Sequence, residues 1–171
     1  MTGLYLREML NRGRIRRALI VAPAGLLTNW QRDLSQLFDL SATILNRTRI
    51  EQGALDVSDT GIFILSLDTG ASPAIRERFI SEFFDLVVFD ECHKLSWPDP
   101  KRQKTRRYVL GETLAARCTH LLLLTATPHM GKPHPYFALW RLSSASLGRN
   151  GRCPSSPDSG RILLTTFSPA K

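Results

Sequence analysis

Short, nearly continuous hydrophobic segments recur along the chain, separated by polar residues. The five segments read ALIVA, ATIL, GIFILSL, DLVVF and HLLLL, and they begin at residues 18, 42, 61, 85 and 120. Strands that are covered on both faces in a parallel sheet have this continuous pattern, whereas strands with one solvent-facing side alternate. The pattern predicts strands at about residues 18–22, 42–45, 61–67, 85–90 and 120–125.

Hydrophobic residues with helical spacing lie between these predicted strands. One such stripe consists of Leu26, Leu27, Trp30, Leu34, Leu37 and Phe38. A second follows Ser72 and Pro73, which suit the N-cap and first turn of a helix, and consists of Ile75, Phe79, Ile80, Phe83 and Phe84. Strands that alternate with helices predict βαβ units and a three-layer α/β fold with a mainly parallel sheet. Functional loops are expected at the carboxyl ends of its strands.

The composition changes near residue 142. The last 31 residues, 141–171, contain seven Ser, three Pro and three Gly, and only residues 162–166 resemble a strand. We therefore predict a domain at residues 1–142 and a divergent, disordered tail at 143–171. A frameshift, a gene remnant or a genuine divergent tail would each produce such a change.

The charge of the chain is strongly positive. Its 171 residues include 23 Lys and Arg against 15 Asp and Glu, which gives a net charge of +8 and a pI of about 10.0. Such a balance is typical of proteins that bind polyanions such as nucleic acids. The cations form two blocks, which consist of Arg7, Arg12, Arg14, Arg16 and Arg17, and of Lys101, Arg102, Lys104, Arg106 and Arg107.

Several classes of protein are excluded by simple features of the sequence. No uncharged hydrophobic run approaches the ~20 residues of a membrane span, and the first residues do not form a secretory signal, so a cytoplasmic location without membrane contact is expected. The three cysteines have no CxxC spacing, which argues against a disulfide framework and against a zinc site.

Two predicted strands end in residues that suit phosphoryl chemistry. The segment after 85–89 begins with Asp90 and Glu91, and His93 follows. One carboxylate can hold Mg²⁺ through water while the other deprotonates an attacking water. The strand at 120–124 ends in Thr125-Ala-Thr127, whose alternate hydroxyls face the same way. A polar turn and a strand cap are the simpler structural interpretations of these two segments.

In order and separation, these segments resemble the first RecA-like lobe of superfamily-2 helicases, in the Swi/Snf-type translocase branch. Four motifs of that branch have counterparts here: LIVAPAGLLTNW for motif Ia (19–30), ILSLD for Ib (64–68), DECH for II (90–93) and TAT for III (125–127). Cys92 replaces the usual alanine of motif II. PHMG at 128–131 is characteristic of bacterial members, and the resemblance covers about residues 1–142.

The resemblance implies a role for each matching residue. Asp90 would coordinate the Mg²⁺ of MgATP through water, Glu91 would activate the attacking water, and His93 would couple them to Thr125 and Thr127. The face that binds nucleic acid, double-stranded DNA in this branch, would be lined by Pro23, Ala24, Gly25, Ser66, Leu67 and Asp68. The implied fold is a RecA-like domain of the P-loop NTPase type.

A phosphate-binding P-loop, GxxxxGK[ST], is absent from the 171 residues. By the resemblance it would precede residues 1–9, so the RecA-like domain is expected to be incomplete at its N-terminus. ATP and Mg²⁺ are implied, but their binding by this chain alone is not expected. A separately encoded or missing P-loop segment and second helicase lobe would be partners. The alternatives are a catalytically silent nucleic-acid-binding fragment and a non-functional gene remnant.

Overall fold

The computed structural model describes residues 2–53, 60–95, 97, 101–126 and 142, and the backbone of residues 163–166. Six helices lie in this part of the chain: α1 (Thr2–Asn11), α2 (Leu27–Phe38), α3 (Arg47–Glu51), α4 (Leu67–Ala71), α5 (Pro73–Arg78) and α6 (Arg106–Ala115). The strands are β1 (Arg17–Ala22), β2 (Ala42–Leu45), β3 (Gly61–Ser66), β4 (Phe84–Phe89), β5 (Cys118–Thr125) and β6 (Leu163–Thr166). Short 3-10 helices occupy Ala24–Leu26 and Cys92–Leu95.

The strands form one sheet with the order β2-β3-β1-β4-β5-β6, and every neighbouring pair is parallel. The five predicted strands are confirmed, and their ends differ from the prediction by at most two residues. Because all strands point the same way, their last residues meet at one side of the molecule, called here the carboxyl end of the sheet.

Helices cover both faces of the sheet, which confirms the predicted three-layer α/β fold. In β1, Leu19 and Val21 belong to one hydrophobic cluster, whereas Ala18 and Ile20 belong to the other. Leu6 of α1 and Leu34 of α2 pack in the second cluster, and α3 to α6 contribute to the first. Two-sided burial is the physical reason for the continuous hydrophobic runs in the sequence.

The helix predicted after Ser72 and Pro73 is shorter than its hydrophobic stripe. Ser72 is the N-cap residue and Pro73 begins α5, as predicted, but the Ser72 side chain makes no capping hydrogen bond and α5 ends at Arg78. Phe84, assigned to the helical stripe, instead begins β4 and is fully buried. Its backbone N–H donates to the Arg117 carbonyl at 2.9 Å, and this sheet contact overrides the helical spacing.

Part of the predicted tail is a strand. Residues 162–166 were its only strand-like segment, and Leu163–Thr166 pairs in parallel with β5 from Leu122 to Thr125. The tail at 143–162 and 167–171 lies outside the described residues, so disorder there stays a prediction.

A carboxylate joins β1 and β4 at the opposite, amino end of the sheet. Asp85 Oδ2 accepts the backbone N–H groups of Arg16, at 2.6 Å, and Arg17, at 2.9 Å. The Arg17 guanidinium forms an ion pair with Glu82 and lies 4.8 Å from the Phe84 ring centroid. One acid therefore fixes the start of two central strands.

We expect Asp85→Ala to lower the free energy of unfolding by about 1–3 kcal/mol, because two backbone donors lose a charged acceptor. Urea denaturation followed by circular dichroism measures the change. Asp33→Ala is the matched control, since its exposed carboxylate contacts the adjacent Arg32, and it should change stability by no more than ~0.5 kcal/mol. Equal unfolding midpoints for the two variants would contradict the role of Asp85.

In the described part of the chain, no helix is both long enough and apolar enough to cross a membrane.

Candidate functional site

The predicted acidic and hydroxyl residues meet at the carboxyl end of the sheet. Asp90 directly follows β4, Thr125 ends β5, and the two strands are paired, with Phe89 opposite Leu123. Asp90 and Thr125 therefore lie at the ends of neighbouring strands, on the same side of the sheet, where functional loops were expected. Thr127 lies outside the described residues.

Both carboxylate oxygens of Asp90 accept hydrogen bonds. Oδ1 accepts from the Glu91 backbone N–H at 2.9 Å, and Oδ2 accepts from the indole N–H of Trp30 at 2.8 Å. The Asp90 backbone N–H donates to the Val21 carbonyl at 2.8 Å, which attaches the turn to β1. These three contacts hold the carboxylate in one orientation.

In the sequence, Trp30 lies on the hydrophobic stripe of α2 and ends motif Ia, and neither position predicts a polar partner. The structure confirms that its ring packs against the core, but its N–H reaches across to Asp90. The tendency of a half-buried indole N–H to find an acceptor was the available signal. Helical spacing could not identify that acceptor, because Asp90 lies 60 residues further along the chain.

Glu91 has a left-handed backbone, with φ of 50°. Residues other than Gly, Asn and Asp seldom adopt this region, and such strain costs of order 1 kcal/mol and concentrates at functional sites. The turn allows Asp90 to face α2 while the 3-10 helix at Cys92–Leu95 directs His93 toward β5.

His93 contacts an acid and a hydroxyl through the same ring nitrogen. Its Nδ1 lies 3.1 Å from Glu91 Oε2 and 3.1 Å from Thr125 Oγ1. His93 and Thr125, which the resemblance pairs in one role, are thus in direct contact. A ring nitrogen carries at most one hydrogen, so Nδ1–H cannot donate fully to both oxygens. One ring nitrogen of His93 therefore lies against both the Glu91 carboxylate and the hydroxyl at the end of β5.

Cys92, the departure from the family motif, is fully buried and points into the first hydrophobic cluster. Burial, followed by the negative charges of Glu91 and Asp90, raises the pKa of its thiol to about 12. The thiol is therefore protonated at neutral pH and acts as a small hydrophobic side chain, as the alanine it replaces would.

A cavity of about 480 Å³ opens beside these residues, between α1, α2 and the ends of β4 and β5. Its volume is in the range of small-molecule sites. Its polar lining includes Asp90, Glu91, Asn29 and Thr125. Mg²⁺ is commonly held by one or two carboxylates with water and substrate phosphates completing the shell, and a single oriented Asp90 carboxylate facing this space fits that mode of binding.

The residues predicted to contact nucleic acid also lie at the carboxyl end of the sheet, but they differ in exposure. Ala24 and Gly25 are exposed in the turn before α2, and Pro23 is half-buried. The Ser66 side chain is buried and caps α4 by accepting the Thr69 N–H at 3.0 Å, and Leu67 is buried as well.

Among the three predicted residues at 66–68, Asp68 is the one whose side chain is exposed. Its Oδ1 accepts hydrogen bonds from Nε of Arg107, at 2.9 Å, and from Nη2 of the same residue, at 2.6 Å. This contact joins the second basic block to the predicted nucleic-acid face, which the sequence could not indicate across 39 residues.

Comparison with known proteins gives consistent matches. The family profile described as "Type III restriction enzyme, res subunit" matches residues 2–130. The chain is 32% identical over 137 residues to the "Uncharacterized ATP-dependent helicase YqhH" of Bacillus subtilis, which covers 80% of this chain and 22% of that protein. It is 34% identical over 145 residues to the "RNA polymerase-associated protein RapA" of Yersinia pseudotuberculosis, covering 82% of this chain and 15% of that protein. The chain thus spans less than a quarter of the length of either relative.

A solved structure has the same fold. The SWI2/SNF2 ATPase core of Sulfolobus solfataricus, in complex with dsDNA, matches 79% of this chain and 26% of its own length, with a TM-score of 0.63 and 16% identity. The predicted RecA-like fold class is thereby confirmed.

Proposed function

Because the chain belongs to the type III restriction enzyme res subunit family of helicase-type ATPases, we propose that it acts as part of an ATP-dependent DNA translocase. The ATP-dependent helicase among the relatives and the fold shared with a SWI2/SNF2 ATPase core support the Swi/Snf-type resemblance. Within such an enzyme, residues 2–126 would supply the part of the first lobe that carries motifs Ia, Ib, II and the start of motif III.

The observation that carries the proposal is the contact of His93 Nδ1 with both Glu91 and Thr125. It joins the two strand ends whose sequences match motifs II and III. If the two segments were only a polar turn and a strand cap, contact of both with one histidine nitrogen would not be expected.

The site residues divide the work of ATP hydrolysis among them. Asp90, oriented by Trp30, would hold Mg²⁺ through water, and the bound ion supplies counter-charge to the substrate phosphates. Glu91 would accept a proton from the attacking water. The strained turn and the cavity wall keep its carboxylate at the carboxyl end of the sheet.

His93 would couple the protonation of Glu91 to the residues of motif III, which the resemblance connects to nucleic-acid binding. A charged carboxylate is the stronger acceptor, so Nδ1–H favours Glu91 before the reaction. Once Glu91 has taken up a proton, Thr125 Oγ1 becomes the better acceptor at the same distance. The shift changes the hydrogen bonding at the end of β5, from which motif III continues through Thr127.

ATP hydrolysis also requires a phosphate-binding loop, and no P-loop sequence is present in the 171 residues. A P-loop segment and a second lobe, on the same or another polypeptide, would therefore complete the enzyme. Double-stranded DNA is the proposed track, in keeping with the dsDNA to which the Sulfolobus solfataricus ATPase core is bound.

An exchange experiment tests this function. We expect a Bacillus subtilis YqhH chimera, in which residues 2–126 replace the matching segment, to hydrolyse ATP with Mg²⁺ and to be stimulated by duplex DNA. Glu91→Gln in the chimera should lower the rate by ~10²- to 10⁴-fold, because the proton acceptor is lost. Thermal unfolding identifies chimeras that have failed to fold. A folded chimera without turnover, or one unaffected by Glu91→Gln, would contradict the proposal.

The silent nucleic-acid-binding fragment is the second candidate, and the net charge of +8 favours it. It differs from the first in one measurable respect, because it binds DNA without any effect of MgATP. Binding that is unchanged by MgATP in the chimera would select this second candidate.

A further inference from the structure

The second basic block lies at the same end of the sheet as the candidate site. Five of the seven residues at 101–107 are Lys or Arg. The block leads into α6, whose N-cap is Thr105, and α6 then runs toward the amino end of the sheet, where β5 begins at Cys118. The ion pair of Arg107 with Asp68 fixes the block next to the first turn of α4, which follows β3 directly.

One cation of the block has a structural role. Lys104 Nζ binds both carboxylate oxygens of Glu112, at 2.7 and 2.9 Å, and lies 5.6 Å from the Trp97 ring centroid. Lys104 is nevertheless exposed, as are the other four cations of the block, which are Lys101, Arg102, Arg106 and Arg107. Arg107 is ion-paired as well, with Asp68.

Helix stability does not explain two of these cations. Arg106 and Arg107 occupy the first turn of α6, which contains no acidic residue. The helix dipole favours acids at this position and disfavours cations. Their charge adds to the positive potential at this end of the sheet, and this arrangement suits the binding of an anion.

The two arginines also line a cleft. It has a volume of about 250 Å³ and is bordered by Asp68, Ala71, Ser72, Arg106 and Arg107. Arg107 directs Nε and Nη2 at Asp68, and its guanidinium has five N–H donors in all, so Nη1 can serve another acceptor. A planar guanidinium suits the oxygens of a phosphate group.

We propose that Arg106 and Arg107, flanked by Lys101 and Arg102, bind the sugar-phosphate backbone of a nucleic acid. This inference rests on the proposed function for its ligand and extends the nucleic-acid face beyond the motifs. The surface is continuous, through Asp68, with the residues predicted for that face. Asp68 itself carries the wrong charge to bind a phosphate, and Arg107 supplies the cation at that position.

The first basic block provides a matched control. Arg14 and Arg16 are exposed and lie between α1 and β1, at the amino end of the sheet, away from the site. Arg106→Gln with Arg107→Gln, and Arg14→Gln with Arg16→Gln, each remove two cations and lower the net charge from +8 to +6. The two double variants therefore differ in where charge is lost and not in how much.

The experiment measures binding of the full chain to a fluorescent DNA duplex by anisotropy, over a range of salt concentrations. We expect the Arg106/Arg107 variant to bind on the order of 10- to 60-fold more weakly at 0.1 M salt, as the loss of one to two phosphate contacts implies. The slope of log K against log salt should fall by about 1.8, or ~0.9 for each lost phosphate contact. The Arg14/Arg16 variant should keep the slope of the unmodified chain. Thermal unfolding checks that both variants are folded.

Three results would overturn the proposal. Equal weakening of DNA binding in both variants would mean that only net charge matters. That result would contradict the binding surface but not the proposed ATPase function, which the chimera tests separately. Absence of duplex binding by the unmodified chain would mean that the surface does not bind nucleic acid. Displacement of the duplex by polyglutamate at equal charge concentration would assign the surface to an acidic polypeptide. Loss of turnover in the chimera, with the difference between the variants preserved, would contradict the enzymatic function alone.

Discussion

The purified 171-residue chain, with Mg²⁺ and duplex DNA, is expected to release phosphate from ATP no faster than its own Glu91→Gln variant. Asp90 and Glu91 can supply a metal ligand and a proton acceptor, but the substrate phosphates have no dedicated holder. A P-loop directs several backbone N–H groups and a lysine at the phosphates, and none is present in the sequence.

The expected loss is large. Removing one well-placed donor to a developing negative charge lowers the rate by ~10²- to 10³-fold. An arginine contributed by a second subunit or lobe accounts for ~10³- to 10⁵-fold in related phosphoryl transfer enzymes. The two losses need not multiply, because groups that act together are not additive. Either of them is enough to reduce turnover to background.

A phosphate-release assay on the unmodified chain and on Glu91→Gln measures the effect. Thermal unfolding of both proteins serves as the control for folding. Turnover well above background that disappears in Glu91→Gln would contradict the prediction, because it would mean that this chain holds the phosphates by other residues.

Phe84→Ala is expected to lower the free energy of unfolding by about 3–5 kcal/mol. The Phe84 ring is fully buried, its centroid lies 6.3 Å from that of the Phe79 ring, and it contacts the Arg17 guanidinium. Its removal leaves a cavity at the start of β4 and exposes a paired cation. Since a domain of this size is stable by roughly 5–15 kcal/mol, much of its stability depends on this one ring.

The adjacent phenylalanine is the matched control. Phe83 has 53% of its surface exposed, so Phe83→Ala should change the free energy of unfolding by no more than ~0.5 kcal/mol. Urea denaturation of both variants gives the comparison. Similar losses would contradict the placement of Phe84 in the core and would favour the helical stripe that the spacing of these residues suggested.

The site was predictable to different degrees for its different members. Asp90, Glu91, His93 and Thr125 were found because each lies at or just beyond the end of a hydrophobic run, and parallel strands bring such ends together. Trp30 was missed as a partner of Asp90, since its position on a helical stripe explained it already. The Asp68–Arg107 pair was missed because neither residue carries a pattern that points to the other.

The sequence by itself determined the α/β class, the five strands of the central sheet and the end of that sheet at which chemistry is possible. It could do so because two-sided burial leaves continuous hydrophobic runs, and strand direction follows from the helices between them. Only the tertiary structure decided which side chains come into contact at that end of the sheet. The contacts of Trp30 with Asp90, of Arg107 with Asp68 and of His93 with two oxygens join residues 2 to 60 positions apart. Hydrogen bonds of this kind depend on positions within a few tenths of an ångström, which sequence periodicity does not encode.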